Sequence, residues 1–333
     1  MNRFVLRQSL LLLTAALIWG TAFVAQSIGV DYVQPFTFTT VRNVIGTLVL
    51  LPFIAVRKSQ DGGMASRKSQ DDGTAPRKSQ DDGTAPRKSH QSNVVLGGMI
   101  CGAALAVASN LQQAGIQYTT AGKAGFLTAM YIILVPIMSI FLKKRPGVKL
   151  WVGVFMAVIG MYFLCMTEGF VLSRGDFLVF LSAFAYATQI LTIDYFGKAC
   201  DGVKLACIQF IFCALFSAIG MVLHGERVTM EMLYLAAGPL LYTGVLSSGV
   251  AYTLQIIGQR GMNPTVASLI MSLESVISAI AGVIVLKEMM SSREIFGCVL
   301  MFASIVLVQL PKKEKKANGT GPGKTEYYTE VRS

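Results

Sequence analysis

Two ionisable side chains stand inside long apolar segments of the sequence, where a charge is costly. Glu274 lies ten residues into the segment Pro264–Leu286, and Arg42 lies six residues into the segment Phe36–Val56. A charge at the centre of a membrane helix costs about 2.5–3.5 kcal/mol on insertion scales, so such residues usually have a function. Arg42 is suited to attract a carboxylate of a small molecule, and Glu274 to meet an amine or to carry a coupling proton. The alternative is that each one is structural and locks helices together by pairing with polar neighbours.

Polar and aromatic residues form a second pattern around these two charges. Ser182, Tyr186 and Gln189 follow one another at i, i+4 and i+7, which places them on one stripe of a helix. A polar stripe in a lipid-embedded helix faces either other helices, as hydrogen bonds, or a water-filled cavity. The residues that we predict to bind substrate are Trp19, Arg42, Gln112, Tyr131, Tyr186, Gln189, Gln209, Gln255 and Glu274.

The overall composition explains why helices in a membrane must position these side chains. Hydrophobic residues make up 53% of the 333 residues. Charged residues make up only 14%, against roughly 25% in soluble domains. Because so few charges cannot cover a water-facing surface, we exclude a soluble enzyme. The net charge of +11 does not indicate a nucleic-acid partner either, because no folded basic face is available to bind phosphates.

Ten apolar segments approach the roughly 20 residues that a helix needs to cross the hydrocarbon core. Numbered spans 1 to 10, they are Leu10–Ile28, Phe36–Val56, Val94–Ile116, Ala121–Leu142, Leu150–Met166, Phe177–Phe196, Leu205–Leu223, Met232–Ile257, Pro264–Leu286 and Ile295–Leu310. Outside the long polar loop and the tail, Lys and Arg divide nine against five in favour of the side that holds the N-terminus. The positive-inside rule therefore predicts that both termini are cytoplasmic in a multi-pass plasma-membrane protein. Pro136 predicts a bend inside span 4, as a gating hinge or a static kink.

A repeated decapeptide occupies the long loop between spans 2 and 3. Its Gly, Ser, Asp and Pro content with balanced charge cannot bury a core, so we predict a disordered cytoplasmic loop. The predicted division of the chain is residues 1–56 with spans 1 and 2, the loop 57–93, residues 94–166 with spans 3 to 5, residues 167–310 with spans 6 to 10, and a basic cytoplasmic tail at 311–333.

The two halves of the chain resemble each other weakly. Two constant shifts, of 143 and 167 residues, superpose four pairs of the predicted site residues: Trp19 with Tyr186, Arg42 with Gln209, Gln112 with Gln255, and Tyr131 with Glu274. Because each half has five spans, an odd number, the second half must cross the membrane in the opposite direction. We therefore predict ten transmembrane helices arranged as two inverted five-helix repeats. Inverted repeats are typical of secondary transporters, whose substrate site lies near the midplane between the halves.

Four short motifs recur in the order and spacing of a known family. They are Trp19-Gly20-x-x-Phe23, Pro35 followed by Arg42, Ala121-Gly122-Lys123-Ala124 before Phe126-Leu127, and Leu273-Glu274 with Lys287-Glu288. Together they resemble the EamA-type ten-helix branch of the drug/metabolite transporter superfamily, although Ser275 stands where that family usually has Pro. The resemblance implies a transporter, often an exporter, of small metabolites such as amino acids.

Other functions fit the sequence less well. Lipid-linked or nucleotide-linked sugars are the alternative substrates, but a nucleotide sugar needs several cations for its phosphates, and only Arg42 stands inside a span. A membrane scaffold would not explain inverted halves. An intramembrane enzyme is not indicated, because the His-Glu-x-x-His and Gly-x-Ser-x-Gly motifs do not occur. The expected partners are a small-molecule substrate and membrane lipids, with a coupling proton left open, and we expect no cofactor, no metal and no nucleic acid.

Overall fold

The structure is a computed structural model that describes residues 3–71, 87–119, 121–143, 146–165, 173–197, 200–286 and 291–309. The predicted tail at 311–333 and the centre of the predicted loop, 72–86, lie outside the described residues. The described part of the chain is helical and contains no strand. The prediction of an all-α membrane fold is confirmed.

Helices occupy all ten predicted spans. Spans 1 to 5 are Arg3–Gly29, Pro35–Asp71, Arg87–Ile116, Ala121–Ala129 with Tyr131–Phe141, and Val148–Cys165. Spans 6 to 10 are Arg174–Phe196, Gly202–Leu223, Ala237–Leu241 with Tyr242–Tyr252 and Thr253–Gln259, Pro264–Met271 with Glu274–Leu286, and Ser292–Gln309. Eight spans are long and apolar enough to cross a membrane, and spans 5 and 10 contribute the shorter apolar helices Val148–Gly160 and Ile295–Val308. Met230–Leu235 is a separate short helix, so span 8 begins at Ala237 rather than at the predicted Met232.

The helix ends follow from local sequence signals. At the start of span 6, Ser173 and Asp176 form a reciprocal capping box, which satisfies backbone N–H groups that the helix leaves free. The side chain of Asp201 accepts hydrogen bonds from two backbone N–H groups at the start of span 7. Asn263 caps span 9, where Pro264 occupies the first turn and needs no N–H partner.

The helices of spans 2 and 3 extend beyond their apolar segments. Span 2 continues to Asp71, and span 3 begins at Arg87, so helical residues reach into the predicted loop from both sides. Extending an existing helix by one residue adds one backbone hydrogen bond without a new nucleation step, so a helix can outlast its apolar sequence.

The packing of the spans follows a two-fold pattern. Span 1 packs against spans 8 and 9, and its equivalent in the second half, span 6, packs against spans 3 and 4. Span 2 packs against spans 7 and 8, and span 7 packs against spans 2 and 3. Spans 4 and 9 pack against each other, as do spans 5 and 10. Exchanging the halves therefore leaves these contacts unchanged, as expected for two inverted five-helix repeats.

Spans 4 and 9 are each interrupted at equivalent positions. Span 4 breaks at Met130, and the shift of 143 residues places Met130 on Leu273, within the break of span 9. The break of span 4 thus lies six residues before Pro136, which is inside the helix Tyr131–Phe141. Span 4 is thus not interrupted at Pro136 itself. Span 9 is interrupted as well, although Ala279 stands at the position equivalent to Pro136.

Serine hydroxyls accompany the break of span 9. Ser272 Oγ donates to the carbonyl oxygen of Leu269 at 2.8 Å, and Ser275 Oγ donates to the carbonyl oxygen of Ser272 at 2.8 Å. Such bonds offer carbonyl groups an alternative to the helical ladder and often bend helices. The break lies just before Ser275, which stands where the family usually has Pro.

Two glycines allow the close helix contacts that position the charged residues. A Cβ atom on Gly20 of span 1 would lie 2.7 Å from the backbone oxygen of Glu274 and 2.5 Å from Cβ of Ile277. A Cβ atom on Gly244 of span 8 would lie 3.1 Å from the backbone oxygen of Arg42. The backbone of each of these two residues thus packs directly against a glycine of the opposite half.

Candidate functional site

A cavity lies between the two halves; the space between its lining atoms, including the part open to solvent, is about 450 Å³. Spans 1, 2, 3 and 4 line it from the first half, and spans 6, 8 and 9 line it from the second. The lining residues are Trp19, Phe23, Gln26, Arg42, Gln112, Thr128, Tyr131, Tyr186, Gln189, Ile190, Ser247, Tyr252, Gln255, Met271 and Glu274.

Eight of the nine residues that we predicted to bind substrate line this one cavity. Gln209 does not, because its side chain is fully buried behind Gln189, from which its Oε1 accepts a hydrogen bond at 3.3 Å. Ser182, on the same predicted stripe, is also absent from the lining, and its hydroxyl donates to the carbonyl oxygen of Val179. That the eight residues bind substrate stays a prediction.

Some lining residues were missed although the sequence carried a signal for them. Phe23 and Gln26 follow Trp19 at i+4 and i+7, the same spacing that marked the stripe of span 6. The shift of 143 residues places Thr128 on Met271, and both line the cavity.

Other lining residues had no comparable signal. Ser247 and Tyr252 lie in a π-helical stretch of span 8, Tyr242–Tyr252. A π-helix makes i→i+5 bonds, so the ordinary helical spacing does not predict which of its residues share a face. The equivalent stretch of span 3 is an ordinary α-helix.

The two charged residues face the cavity without a counter-ion. Arg42 is 3% exposed and Glu274 is 4% exposed. Arg42 Nη1 donates to Gln26 Oε1 at 3.2 Å, whereas Arg42 Nε has no hydrogen-bond partner. Glu274 Oε1 has no hydrogen-bond partner either. The hydroxyl of Tyr131 lies beside the Glu274 carboxyl group and is close enough to interact with it. Within the described residues, neither Arg42 nor Glu274 takes part in an ion pair.

Buried charges of this kind need compensation. Taking an ion out of water costs several kcal/mol, which is recovered only by good pairing and by hydrogen bonds. Since Arg42 and Glu274 do not pair with each other, a ligand with an anionic and a cationic group would compensate both. Tyr186 lies within electrostatic range of both residues, so the two charges act on a common region of the cavity.

Neighbouring groups hold Arg42 in place. Its partner Gln26 accepts a further bond at its backbone oxygen from Gln113 Nε2, at 3.3 Å. The start of span 2 is fixed by the carboxylate of Glu226, which accepts from the backbone N–H of Thr37 at 2.7 Å and from its hydroxyl at 2.7 Å. A carboxylate at a helix N-terminus is favoured by the free N–H groups there. The helix that carries Arg42 is thus anchored to the second half.

The glutamines of the two halves are bonded differently. Gln112 Nε2 donates to Thr128 Oγ1 at 2.9 Å, and Gln112 Oε1 accepts from the Tyr186 hydroxyl at 3.0 Å. The equivalent residue, Gln255, donates from Nε2 to Gln189 Oε1 at 3.2 Å and accepts from Gln189 Nε2 at 3.4 Å. The first glutamine is firmly held, and the second is held loosely by another amide.

Aromatic rings close one wall of the cavity. The rings of Trp19 and Tyr252 meet edge to face with their centroids 4.8 Å apart, and Phe210 packs on Tyr252 at 5.8 Å. Trp19 Nε1 also donates to the carbonyl oxygen of Ser247 at 3.3 Å. Such contacts between large rings stabilise a fixed apolar wall. In the described part of the chain, no three His, Cys, Asp or Glu residues group as metal ligands.

These features together define a class of protein. An all-helical, multi-span fold with two inverted halves and a polar cavity between them is the architecture of a membrane transporter. The chain matches the EamA-like transporter family over residues 6–166 and 173–310, and it belongs to that family.

Relatives of known sequence agree with this membership. A protein of Archaeoglobus fulgidus described as an uncharacterized transporter is 29% identical over 296 residues, which cover 89% of this chain and 83% of the relative. The threonine/homoserine exporter RhtA of Salmonella typhimurium is 27% identical over 173 residues, covering 50% of this chain and 57% of RhtA. A crystal structure matches the fold with a TM-score of 0.64 at 18% identity, over 91% of this chain and 96% of its own.

Proposed function

We propose that the protein is a secondary active exporter of a small zwitterionic metabolite such as an amino acid. The observation that carries the proposal is the pair of buried ionisable side chains, Arg42 and Glu274, that line one cavity without pairing with each other. Arg42 comes from the first half and Glu274 from the second, so a substrate with a carboxylate and an ammonium group would join the halves.

Each lining group has a role in this proposal. Arg42 binds the carboxylate, because a guanidinium presents several donors in one plane and its Nε is free. Glu274 binds the ammonium group with its unpartnered oxygen. The rings of Trp19, Tyr131 and Tyr186 form the walls, and the cavity glutamines supply hydrogen bonds.

Alternating access is the proposed mechanism. The main contacts of one half repeat those of the other, which supports two halves built on the same plan. An exchange of shapes would open the cavity first to one side of the membrane and then to the other. We propose a plasma-membrane location with both termini in the cytoplasm, which the distribution of Lys and Arg supports.

The alternatives are less well supported by the cavity. Nucleotide-linked and lipid-linked sugars carry phosphates, and Arg42 is the one cationic side chain among the residues lining the described cavity. Glu274 has a second candidate role, as the carrier of a coupling proton, since its unpartnered oxygen faces the cavity. RhtA, a relative over half of the chain, supports amino acids as the class to test first.

Counterflow in proteoliposomes tests the proposal. The vesicles are loaded with one compound of a panel of amino acids, sugars and nucleotides, and uptake of the labelled compound is followed. We expect accelerated exchange of amino acids and of no nucleotide-linked sugar. Exchange confined to sugars, or absence of exchange for the whole panel with folded protein, would contradict it.

A further inference from the structure

Three glutamine side chains of the second half meet beside the cavity. They come from three different spans: Gln189 from span 6, Gln209 from span 7 and Gln255 from span 8. Gln189 Nε2 lies 3.3 Å from Gln209 Oε1 and 3.4 Å from Gln255 Oε1, and Gln255 Nε2 lies 3.2 Å from Gln189 Oε1. Good N–H···O bonds measure about 2.7–3.2 Å, so these three contacts are at or beyond the long end.

The amide cluster of Gln189, Gln209 and Gln255 has spare hydrogen-bonding capacity. Gln209 Nε2 has no partner although the side chain is fully buried. Buried side-chain polar atoms almost always have a partner, and in a membrane no surrounding water replaces a missing one. Gln189 and Gln255 line the cavity, so a polar group that enters it meets amides able to exchange long bonds for short ones.

The equivalent residue of the first half is held by shorter hydrogen bonds. Gln112 stands where Gln255 stands in the other half, and bonds of 2.9 and 3.0 Å to Thr128 and Tyr186 engage both ends of its amide. The long amide–amide bonds beside the cavity therefore belong to the second half.

We propose that Gln189 and Gln255, backed by Gln209, determine which substrate side chain is accepted, and that they recognise a neutral hydroxyl or carboxamide group. This inference rests on the proposed function, because Arg42 and Glu274 take the two charges of the zwitterion and leave its third substituent to the amides. An apolar substituent of the same shape would form no hydrogen bonds with the amides, so the long bonds among them would not be replaced by shorter ones. A site built to hydrogen-bond a polar group rejects an analogue that lacks it.

Counterflow with matched substrate pairs tests this inference. Threonine and valine have nearly the same shape, as do asparagine and leucine, and each pair differs in a hydrogen-bonding group. For the wild-type protein we expect the polar member to exchange at least about tenfold faster than the apolar one. In the double variant Gln189→Met and Gln255→Met, which keeps the side-chain length, we expect the ratio to fall to about one. The ratio is measured in one preparation, so it does not depend on how much of the protein is folded.

Controls and single variants make the test decisive. Thr188 lies next to Gln189, and its exposed hydroxyl donates only to the carbonyl oxygen of Phe184. The control variant Thr188→Val is therefore expected to keep the wild-type ratio. Each single glutamine variant is expected to lower the ratio at least about threefold. Equal exchange of threonine and valine by the wild-type protein, or an unchanged ratio in the variants, would overturn the inference and leave the proposed function standing. A wild-type protein that exchanges no amino acid would overturn the proposed function itself, and the inference with it.

Discussion

The two halves of the molecule share a scaffold but carry different chemistry. The contact pattern and the breaks in spans 4 and 9 repeat from one half to the other. At the equivalent site positions, however, Arg42 of the first half corresponds to Gln209 of the second, and Glu274 of the second corresponds to Tyr131 of the first. Each half therefore contributes one charge, and a zwitterion is compensated only when both halves face the same cavity. Because of this difference, binding of a zwitterion would depend on the relative position of the two halves.

The difference between the halves extends to how their backbones approach each other. The shift of 167 residues places Gly20 on Ala187, so span 1 has room for the backbone of Glu274 where span 6 carries a methyl group. Span 8 is π-helical over Tyr242–Tyr252, whereas span 3 is α-helical throughout its equivalent stretch. The asymmetry thus concentrates around the two charged residues, and four substitutions probe it.

Removing the first half's charge should have the largest effect. Arg42→Gln makes this position like Gln209, and a hydrogen bond to a charged group contributes about 1.5–3 kcal/mol. We therefore expect kcat/KM for amino acid exchange to fall about 100-fold. Arg7→Gln, at an exposed arginine near the start of span 1, is the matched control and should leave exchange unchanged. Exchange within about threefold of wild type in folded Arg42→Gln would remove Arg42 from the site.

Replacing Gly20 by alanine, the residue type of its equivalent Ala187, should have the next largest effect. In Gly20→Ala the new Cβ atom collides with Ile277 and with the backbone of Glu274, and overpacking of this kind costs about 1–3 kcal/mol. We expect a lower melting temperature in detergent and about tenfold slower exchange, because Glu274 is displaced. Gly122→Ala is the control, since a Cβ atom there meets nothing within 4 Å. Equal melting temperatures for the two variants would show that the close contact is not needed.

Loosening Arg42 without removing it should have a smaller effect. Gln26→Leu takes away the side-chain bond of Arg42, and a single hydrogen bond contributes about 0.5–1.5 kcal/mol net. We expect KM to rise about fivefold with kcat nearly unchanged, because binding of the carboxylate is weakened equally in all steps. Thr14→Val, at an exposed position of the same span, is the control. A KM equal to that of the wild-type protein would show that Gln26 does not position Arg42.

Replacing the proline of span 4 should have the smallest effect. Because span 9 breaks at the same place with Ala279 in the position of Pro136, the break at Met130 does not require a proline. Pro136→Ala is expected to keep counterflow rates within about twofold of wild type. Loss of most exchange in a folded variant would identify Pro136 as part of the mechanism after all.

The sequence predicts most of the scaffold because the membrane leaves few choices. Ten apolar segments must form helices, since backbone groups in lipid have no other partners, and an odd number of spans per half forces inversion. The same restriction explains why eight predicted residues meet: polar side chains such as Gln112 and Tyr186 in apolar spans turn away from lipid.

Details that depend on tertiary packing were not predictable. The breaks in spans 4 and 9 lie apart from Pro136, the strongest sequence signal for one. Gln209 has the same residue type as Gln189 but lies one layer behind it, which depends on how span 7 rotates against span 2. The π-helical register of span 8 decides that Ser247 and Tyr252 reach the cavity, and no sequence spacing encodes it.

The most direct test of the central claim pairs each charged residue with one charge of the substrate. Counterflow is measured for threonine, threonine methyl ester and N-acetylthreonine with the wild-type protein, Arg42→Gln and Glu274→Gln. If each half binds one charge, the wild-type protein exchanges the ester poorly, whereas Arg42→Gln exchanges the ester no worse than threonine. Likewise, the wild-type protein exchanges N-acetylthreonine poorly, whereas Glu274→Gln exchanges it no worse than threonine. Equal losses for both analogues in all three proteins would contradict the account, because neither residue would then bind its assigned charge.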